Sequence, residues 1–416
     1  MTDKPENHAK HTAPPPGGTL AAEGLRQGTR SYRRATGALL LAALASFNAM
    51  YCTQALMPVL TEDLLVTPAD AALTVSATTG VMAVAILPVS VLSERFGRGR
   101  VILASVLSAT LIGLLLPFAP GLNWLIAGRA LQGLAIAGVP ATGMAWLSQE
   151  VRSDHLPHAM GLYVAGNTVG GLLGRLIPAG VLQFADWRVA LGVNMIFAFV
   201  CAVVTTVLLP KERNFRPKKL RLRSEITTMG RQWRSPRLAA LFLVAFVFMG
   251  VFVSLYNFLG YRLTSVFGLP DSAVGAIFLL YLFGTLASAR SGHKVMKLGR
   301  GRTMLLGSAL ALAGLLLVLT SNLWLVLIGV GVFTYGFFTV HSVASGWVGA
   351  LAPESRGEAS GMYLACYYLG SSLVGYASGH VMHAFSWGGL VGWLAALLVL
   401  GGGLVGYLLY HEQHSF

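Results

Sequence analysis

Twelve separate apolar stretches, each close to the ~20 residues a helix needs to cross a bilayer, leave this chain little freedom in what it can fold into. They fall near 36–60, 71–92, 101–119, 122–147, 159–182 and 187–209, then near 238–261, 272–291, 303–320, 323–349, 360–382 and 388–410. None contains Asp or Glu. In hydrocarbon a spanning helix satisfies every backbone polar group within itself, so the pattern predicts an all-α membrane protein with twelve transmembrane helices. The charge content agrees. Only 11% of the 416 residues are charged and 55% are hydrophobic, against about 25% charged in a soluble domain. Residues 1–35 are polar and rich in Pro and Gly, without the short apolar core and cleavage site of a secretory signal, so the first span is expected to be retained.

Lys and Arg set the orientation. The net charge of +14 would point to nucleic acid in a soluble protein, but here the basic residues gather in alternate loops. One side carries Lys4, Lys10, Arg26, Arg30, Arg33 and Arg34, then Arg95, Arg98 and Arg100. It continues with ten Lys and Arg from Lys211 to Arg237, and with Lys294, Lys297, Arg300 and Arg302. The other side has only Arg188 and Arg262, beside Glu62, Asp63, Asp70, Asp186 and Asp271. The basic-loop end, with both termini and the middle segment, is therefore expected to be cytoplasmic, and the acidic-loop end external.

The halves repeat. Phe96-Gly97-Arg98-Gly99-Arg100 recurs as Leu298-Gly299-Arg300-Gly301-Arg302, and Pro68 matches Pro270 at the same offset of 202. Ala159-Met160-Gly161-Leu162-Tyr163 recurs as Ala359-Ser360-Gly361-Met362-Tyr363, and Trp187 matches Trp387, both at 200. An even number of spans per half makes the repeats parallel: two six-helix bundles related by an axis along the membrane normal. The expected organisation is a disordered cytoplasmic tail (1–35), a first bundle (36–209), a basic cytoplasmic linker (210–237), a second bundle (238–410) and a short cytoplasmic tail (411–416).

The three cysteines, Cys52, Cys201 and Cys366, all lie inside apolar runs, which excludes a disulfide framework and a zinc spacing. No nucleotide-binding loop and no nucleophile paired with a base is found, so no catalytic residue, metal or cofactor is expected. A membrane sensor would carry a soluble output domain, and the tails here are short.

The repeated loop carries a family resemblance. Ser90-Val91-Leu92-Ser93-Glu94-Arg95-Phe96-Gly97-Arg98 resembles the loop between helices two and three of the major facilitator superfamily, with Ser90 for its Gly and Glu94 for its Asp. Arg129-Ala130-Leu131-Gln132-Gly133 resembles that family's helix-four element. Gly161, Gly170 and Gly174 match its helix-five antiporter element, from which Arg175 and Pro178-Ala179 depart. Asn167, Gly170-Gly171, Gly174-Arg175 and Trp187-Arg188 look like the acriflavin-sensitivity subfamily of bacterial inner-membrane transporters. That resemblance implies efflux of small organic compounds, driven by the proton-motive force.

The residues add their own argument. Arg129 and Arg175 each sit about 10 Å inside a span, counting 1.5 Å per residue, and each costs roughly 2.5–3.5 kcal/mol to insert near a helix centre. They face a cavity that takes an anionic group, or they are neutralised by helix-end carbonyls or by Glu62, Asp63 or Asp186. Gly166, Gly170 and Gly174 form a close-packing strip, with Asn167, Gly171 and Arg175 on a second strip beside it. Asn48, Tyr51 and Cys52 share one face of the first helix, with Gln54 just outside it. Tyr256, Asn257, Tyr281, His341, Tyr363 and Tyr367 form polar-aromatic faces in the second half. The expected cavity is thus Asn48, Tyr51, Gln54, Arg129, Gln132, Asn167, Arg175, Tyr256, Asn257, His341 and Tyr367. His341 is the interior group that titrates nearest neutral pH. Glu94, Arg95, Gly97, Arg98 and Arg300 are the expected cytoplasmic gate, asymmetric because Met296 stands where Glu94 would repeat. The expected working unit is a monomer in the bilayer with a small-molecule substrate: an exporter, or alternatively an exchanger or symporter of organic anions.

Overall fold

Thr29 opens the first helix. Its hydroxyl accepts from Tyr32 N at 3.2 Å, and the helix runs from Arg30, six residues before the apolar stretch begins. The structure, a computed structural model, describes residues 24–215, 217 and 222–414. The part of the expected tail it describes is ordered: Leu25 pairs with the segment after the fourth span through Leu25 N to Glu150 O at 2.8 Å and Arg152 N to Leu25 O at 3.2 Å. Residues 1–23 lie outside the described residues.

Twelve helices then cross the membrane. The first half contains α1 (Arg30–Asp63), α2 (Pro68–Phe96), α3 (Arg98–Phe118), α4 (Leu122–Glu150), α5 (Leu156–Val181) and α6 (Trp187–Leu208). The middle segment, expected as a linker over 210–237, includes a ten-residue helix, α7 (Leu222–Arg231). The second half follows with α8 (Pro236–Phe267), α9 (Ala273–Leu298), α10 (Arg300–Leu317) and α11 (Leu323–Leu351). A last helical stretch, Arg356–Gln413, breaks at Ser386, where φ is 57°, into α12 (356–385) and α13 (387–413). The expected C-terminal tail is thus partly helical, since residues 411–413 finish α13.

The helices that meet most closely are those with small residues at the crossing. A Cβ on Gly166, Gly170 or Gly174 of α5 would stand 2.4, 2.3 and 2.5 Å from the carbonyl oxygens of Leu40, Leu44 and Asn48 in α1. The repeat builds the same crossing in the second half, where Gly370 of α12 lies against Phe246 of α8.

The expected gate motif turns out to organise each half from within. Gly97 joins α2 to α3 at φ 98° and Gly299 joins α9 to α10 at φ 82°, a region that only glycine enters without strain. The N–H groups exposed at the start of each following helix find a carboxylate. Glu212, just beyond α6, accepts from Gly99 N at 3.0 Å; Glu412, at the end of α13, accepts from Arg300 N at 3.0 Å and Gly301 N at 2.7 Å. At the opposite ends, Arg188 donates to Pro117 O and Ala119 O where α3 finishes, and Arg262 to Leu319 O and Thr320 O just after α10. Anions at N-termini and cations at C-termini both suit the helix dipole. The two shortest spans are therefore capped at both ends.

Candidate functional site

Arg129 and Arg175 come to different ends. Arg129 in α4 is fully buried within the first half. Its Nε donates to Thr74 O (2.8 Å), Nη1 to Ala49 O (2.6 Å) and to Gln132 Oε1, and Nη2 to Met50 O (2.5 Å). Nη1 also lies 3.2 Å from Cys52 Sγ. Ala49 and Met50 belong to the last turn of the first stretch of α1, which ends at Tyr51 before the chain reforms at Met57. A helix end leaves carbonyls without partners, and Arg129 supplies them. Gln132 completes the same assembly by donating to Ala109 O at 3.0 Å. Asn48 is paired reciprocally with Asn194 of α6, at 3.0 and 2.9 Å, both fully buried. Asn48, Arg129 and Gln132, expected in the cavity, are therefore struts inside one bundle. Of the two accounts the sequence left open for Arg129, helix-end carbonyls are the one observed.

Arg175 of α5 instead lies where the halves meet. It is 1% exposed. Nε donates to Gln54 Oε1 (2.6 Å), Nη1 to Gly171 O (2.5 Å) and Nη2 to the Tyr281 hydroxyl (3.0 Å). Three rings face its Cζ: Tyr51 at 4.0 Å, Tyr281 at 4.6 Å and Phe278 at 5.1 Å. Among the described residues no carboxylate is within ion-pair distance, so neither Glu62, Asp63 nor Asp186 neutralises it. The charge is held by a carbonyl, an amide, a hydroxyl and π faces, interactions worth about 0.5–2 kcal/mol per ring.

The network continues across the interface. Gln54 Nε2 donates to Asn257 Oδ1 of α8 at 2.6 Å. Tyr256 bonds Thr334 of α11 at 2.7 Å and lies 4.7 Å from Tyr281, centroid to centroid. The structure thus gathers Tyr51, Gln54, Arg175, Tyr256 and Asn257, with Tyr281. Asn167, two turns below Arg175 on α5, is half-buried and its Oδ1 has no partner. His341 and Tyr367 sit nearer the basic-loop end. His341 Nδ1 is 3.0 Å from the Tyr363 hydroxyl, and its ring is 4.6 Å from that of Tyr367. Between these groups runs an aromatic wall the sequence reading did not single out. Phe252 stacks on Phe337 at 4.0 Å and meets Tyr281 and Phe338 edge-on. The adjacent pair Phe337-Phe338 beside His341 was its only sequence signal.

The hydrogen bonds between the halves are unevenly placed. Among the described residues, every hydrogen bond between spanning helices of different halves lies from mid-helix toward the acidic-loop end. These are Gln54–Asn257, Arg175–Tyr281, Thr61–Tyr261 (2.6 Å), Tyr261–Met57 O (3.0 Å), and Ser371 and Ser372 of α12 with Thr79 and Ser76 O of α2. Arg98 donates to Gln149 (2.6 Å) and Ala145 O (3.2 Å) of α4 and pairs with Glu94 at 3.8 Å, and Arg95 covers Phe96. Gly97 and Arg300 serve the helix junctions described above.

Two six-helix bundles repeating in parallel, closed over a buried cationic layer at one end, define a major facilitator fold. The family model for the Major Facilitator Superfamily matches residues 39–296, and the chain belongs to that superfamily. It is 38% identical to the inner membrane transport protein YnfM of Escherichia coli (strain K12), over 90% of each chain. It is 34% identical to the MFS-type transporter YybF of Bacillus subtilis (strain 168), over 90% of this chain and 93% of that one. Among solved structures, a bacterial homologue of the human lysosomal transporter Spinster aligns with TM-score 0.72 at 16% identity, covering 92% of this chain and 97% of that one. The nucleoside transporter NupG aligns with TM-score 0.71 at 14% identity, covering 91% and 100%. The chain is accordingly a multi-pass membrane transport protein whose relatives are named as transporters, not enzymes.

Proposed function

We propose that this protein is a secondary transporter that moves a small organic compound across the bacterial inner membrane by alternating access. The carrying observation is the one-sided closure. All the described hydrogen bonds between spanning helices of different halves lie from mid-helix toward the acidic-loop end, which supports a state sealed there. With basic loops cytoplasmic, the end held by these bonds is the external one. Rocking the halves would break Gln54–Asn257, Arg175–Tyr281 and Thr61–Tyr261 together, while Arg129 and the Asn48–Asn194 pair keep the first bundle rigid. A ligand drives such a change only by binding one state better than the other. The coupling ion is a proton, for which His341, half-buried against Tyr363 and Tyr367, is the titrating group nearest the cavity. Export is the direction the sequence resemblance implies.

The test is a cross-link at the closed end. A Cβ on Gly379 of α12 would lie 2.8 Å from Ala69 Cβ of α2, within ~1 Å of disulfide spacing. The double variant Ala69→Cys/Gly379→Cys is reconstituted in proteoliposomes under an imposed pH gradient, with cationic dyes and organic acids compared side by side. Oxidation should abolish flux and reduction restore it. Flux that persists in the fully cross-linked protein overturns alternating access at this interface, and flux that ignores the pH gradient overturns proton coupling.

A further inference from the structure

The hydrogen bonds around Arg175 have a fixed direction. A guanidinium only donates. Arg175 Nε therefore fixes Gln54 Oε1 as acceptor, which turns Gln54 Nε2 toward Asn257 Oδ1, which in turn leaves Asn257 Nδ2 as a donor. That last donor is buried, on a residue 1% exposed, and has no partner. Close to it, Ser76 Oγ of α2 is also buried, on a residue 2% exposed, and also unpartnered. Both atoms lie beside Gly375 of α12. A Cβ placed on Gly375 of α12 would be 3.3 Å from Ser76 Oγ and 3.8 Å from Asn257 Nδ2. Gln54 and Asn257 also line a pocket between the halves, with Pro58, Gly260, Ile277 and Phe278.

A buried donor without an acceptor is costly, and two unpartnered buried polar atoms beside one glycine suit a ligand oxygen. The charge balance says which kind. Arg175 has no carboxylate within ion-pair distance among the described residues, so the layer carries an uncompensated positive charge in a low dielectric, where an anion is favoured.

We propose that the transported compound is a small organic carboxylate, whose oxygen is taken by Asn257 Nδ2 and the Ser76 hydroxyl beside Gly375, with Arg175 as the balancing charge and the rings of Tyr256 and Phe278 against its apolar part. This rests on the transport reading above and deepens it by naming the substrate class. The site bridges α2 of one half and α8 and α12 of the other. Its occupation therefore strengthens the closed end, and release of the carboxylate loosens it.

Binding is measured apart from flux, by thermal unfolding of the purified full chain in detergent with benzoate or benzylamine as the probe. Benzoate should raise the midpoint by roughly 2–5 °C at saturation, and benzylamine should not. Ser76→Ala removes a hydroxyl that bonds nothing, so it should leave the ligand-free midpoint unchanged while reducing the benzoate shift. Gly375→Ala sets a methyl against Ser76 Oγ and Asn257 Nδ2 and should reduce it likewise. Asn257→Asp, which replaces the donor with a negative charge, should abolish it. A benzoate shift that survives Ser76→Ala and Gly375→Ala, a shift with benzylamine alone, or no shift with either probe overturns the carboxylate site. The cross-linking result is unaffected by any of these outcomes, so failure of the substrate class and failure of alternating access are told apart.

Discussion

Replacing Arg129 by Leu tests whether a buried membrane arginine serves the fold or the cargo. The substitution removes the donors to Thr74 O, Ala49 O, Met50 O and Gln132 Oε1. Hydrogen bonds inside membrane proteins average about 0.6 kcal/mol, and those to charged groups in soluble proteins run about 1.5–3 kcal/mol. Four acceptors therefore put the gross loss at roughly 2–12 kcal/mol. Against this stands the gain from no longer burying a charge, about 2.5–3.5 kcal/mol on insertion scales. In the upper part of that range the loss wins, because Ala49 and Met50 lie at a helix end where no other donor waits. Arg129→Lys keeps the charge but presents one nitrogen where three are used, so it should be about as damaging. The assay is thermal unfolding of purified protein, with flux normalised to folded protein in proteoliposomes. Both variants should unfold several degrees lower, and the folded fraction should transport normally. An unchanged midpoint with lost transport would refute the strut assignment and return Arg129 to the cavity.

Three further expectations follow from the same geometry. Arg175→Gln removes the Tyr281 bond across the halves, worth about 1–2 kcal/mol; the closed end should open roughly 5- to 30-fold more often, read from spin-label distances between the external loops. Glu212→Gln and Glu412→Gln should each destabilise by about 0.5–2 kcal/mol and combine additively because they sit in separate halves, as measured by unfolding of the single and double variants. In the loop between α4 and α5, Arg152 donates to both carboxylate oxygens of Asp154 and holds its pKa down at about 2. A depressed carboxylate stabilises above its unfolded value near 3.8 and loses that contribution as pH falls toward 2. Asp154 should therefore remain ionised at pH 3 in a carboxyl-carbon NMR titration, and Arg152→Ala should bring the transition back toward 3.8.

Much of the architecture is legible in the sequence because hydrocarbon is an unforgiving solvent. Span length, the absence of acids and the alternation of basic loops each follow from a cost in kcal/mol per residue. The fifth span shows the limit. Its glycines, Asn167 and Arg175 lower its hydropathy, yet those same residues give it a tight crossing with α1 and a place at the interface. The site was legible in part. Arg175, Gln54, Asn257 and the tyrosines were found because polar groups in hydrocarbon must meet something. Helical periodicity gives the angle of a side chain about its own axis, not the neighbour on that side. Asn48 and Tyr51 share a face on paper, but Asn48 meets α6 while Tyr51 meets Arg175. Glu212 and Glu412 were missed, although they stand at the 200-residue offset of the repeat, because each looked like an ordinary charge at the end of a span.

Those two carboxylates have a consequence for dividing the molecule. Each half supplies, from the end of its own last helix or just beyond it, the group that holds its own third helix in place. A chain cut within 218–221 would leave Glu212 with the first piece and Glu412 with the second. Co-expressed, the two pieces should reassemble into a transporting pair, measured as flux restored only when both are present. A cut at 209, a few residues earlier, would look equally innocuous in a hydropathy plot and would strip the first piece of its cap.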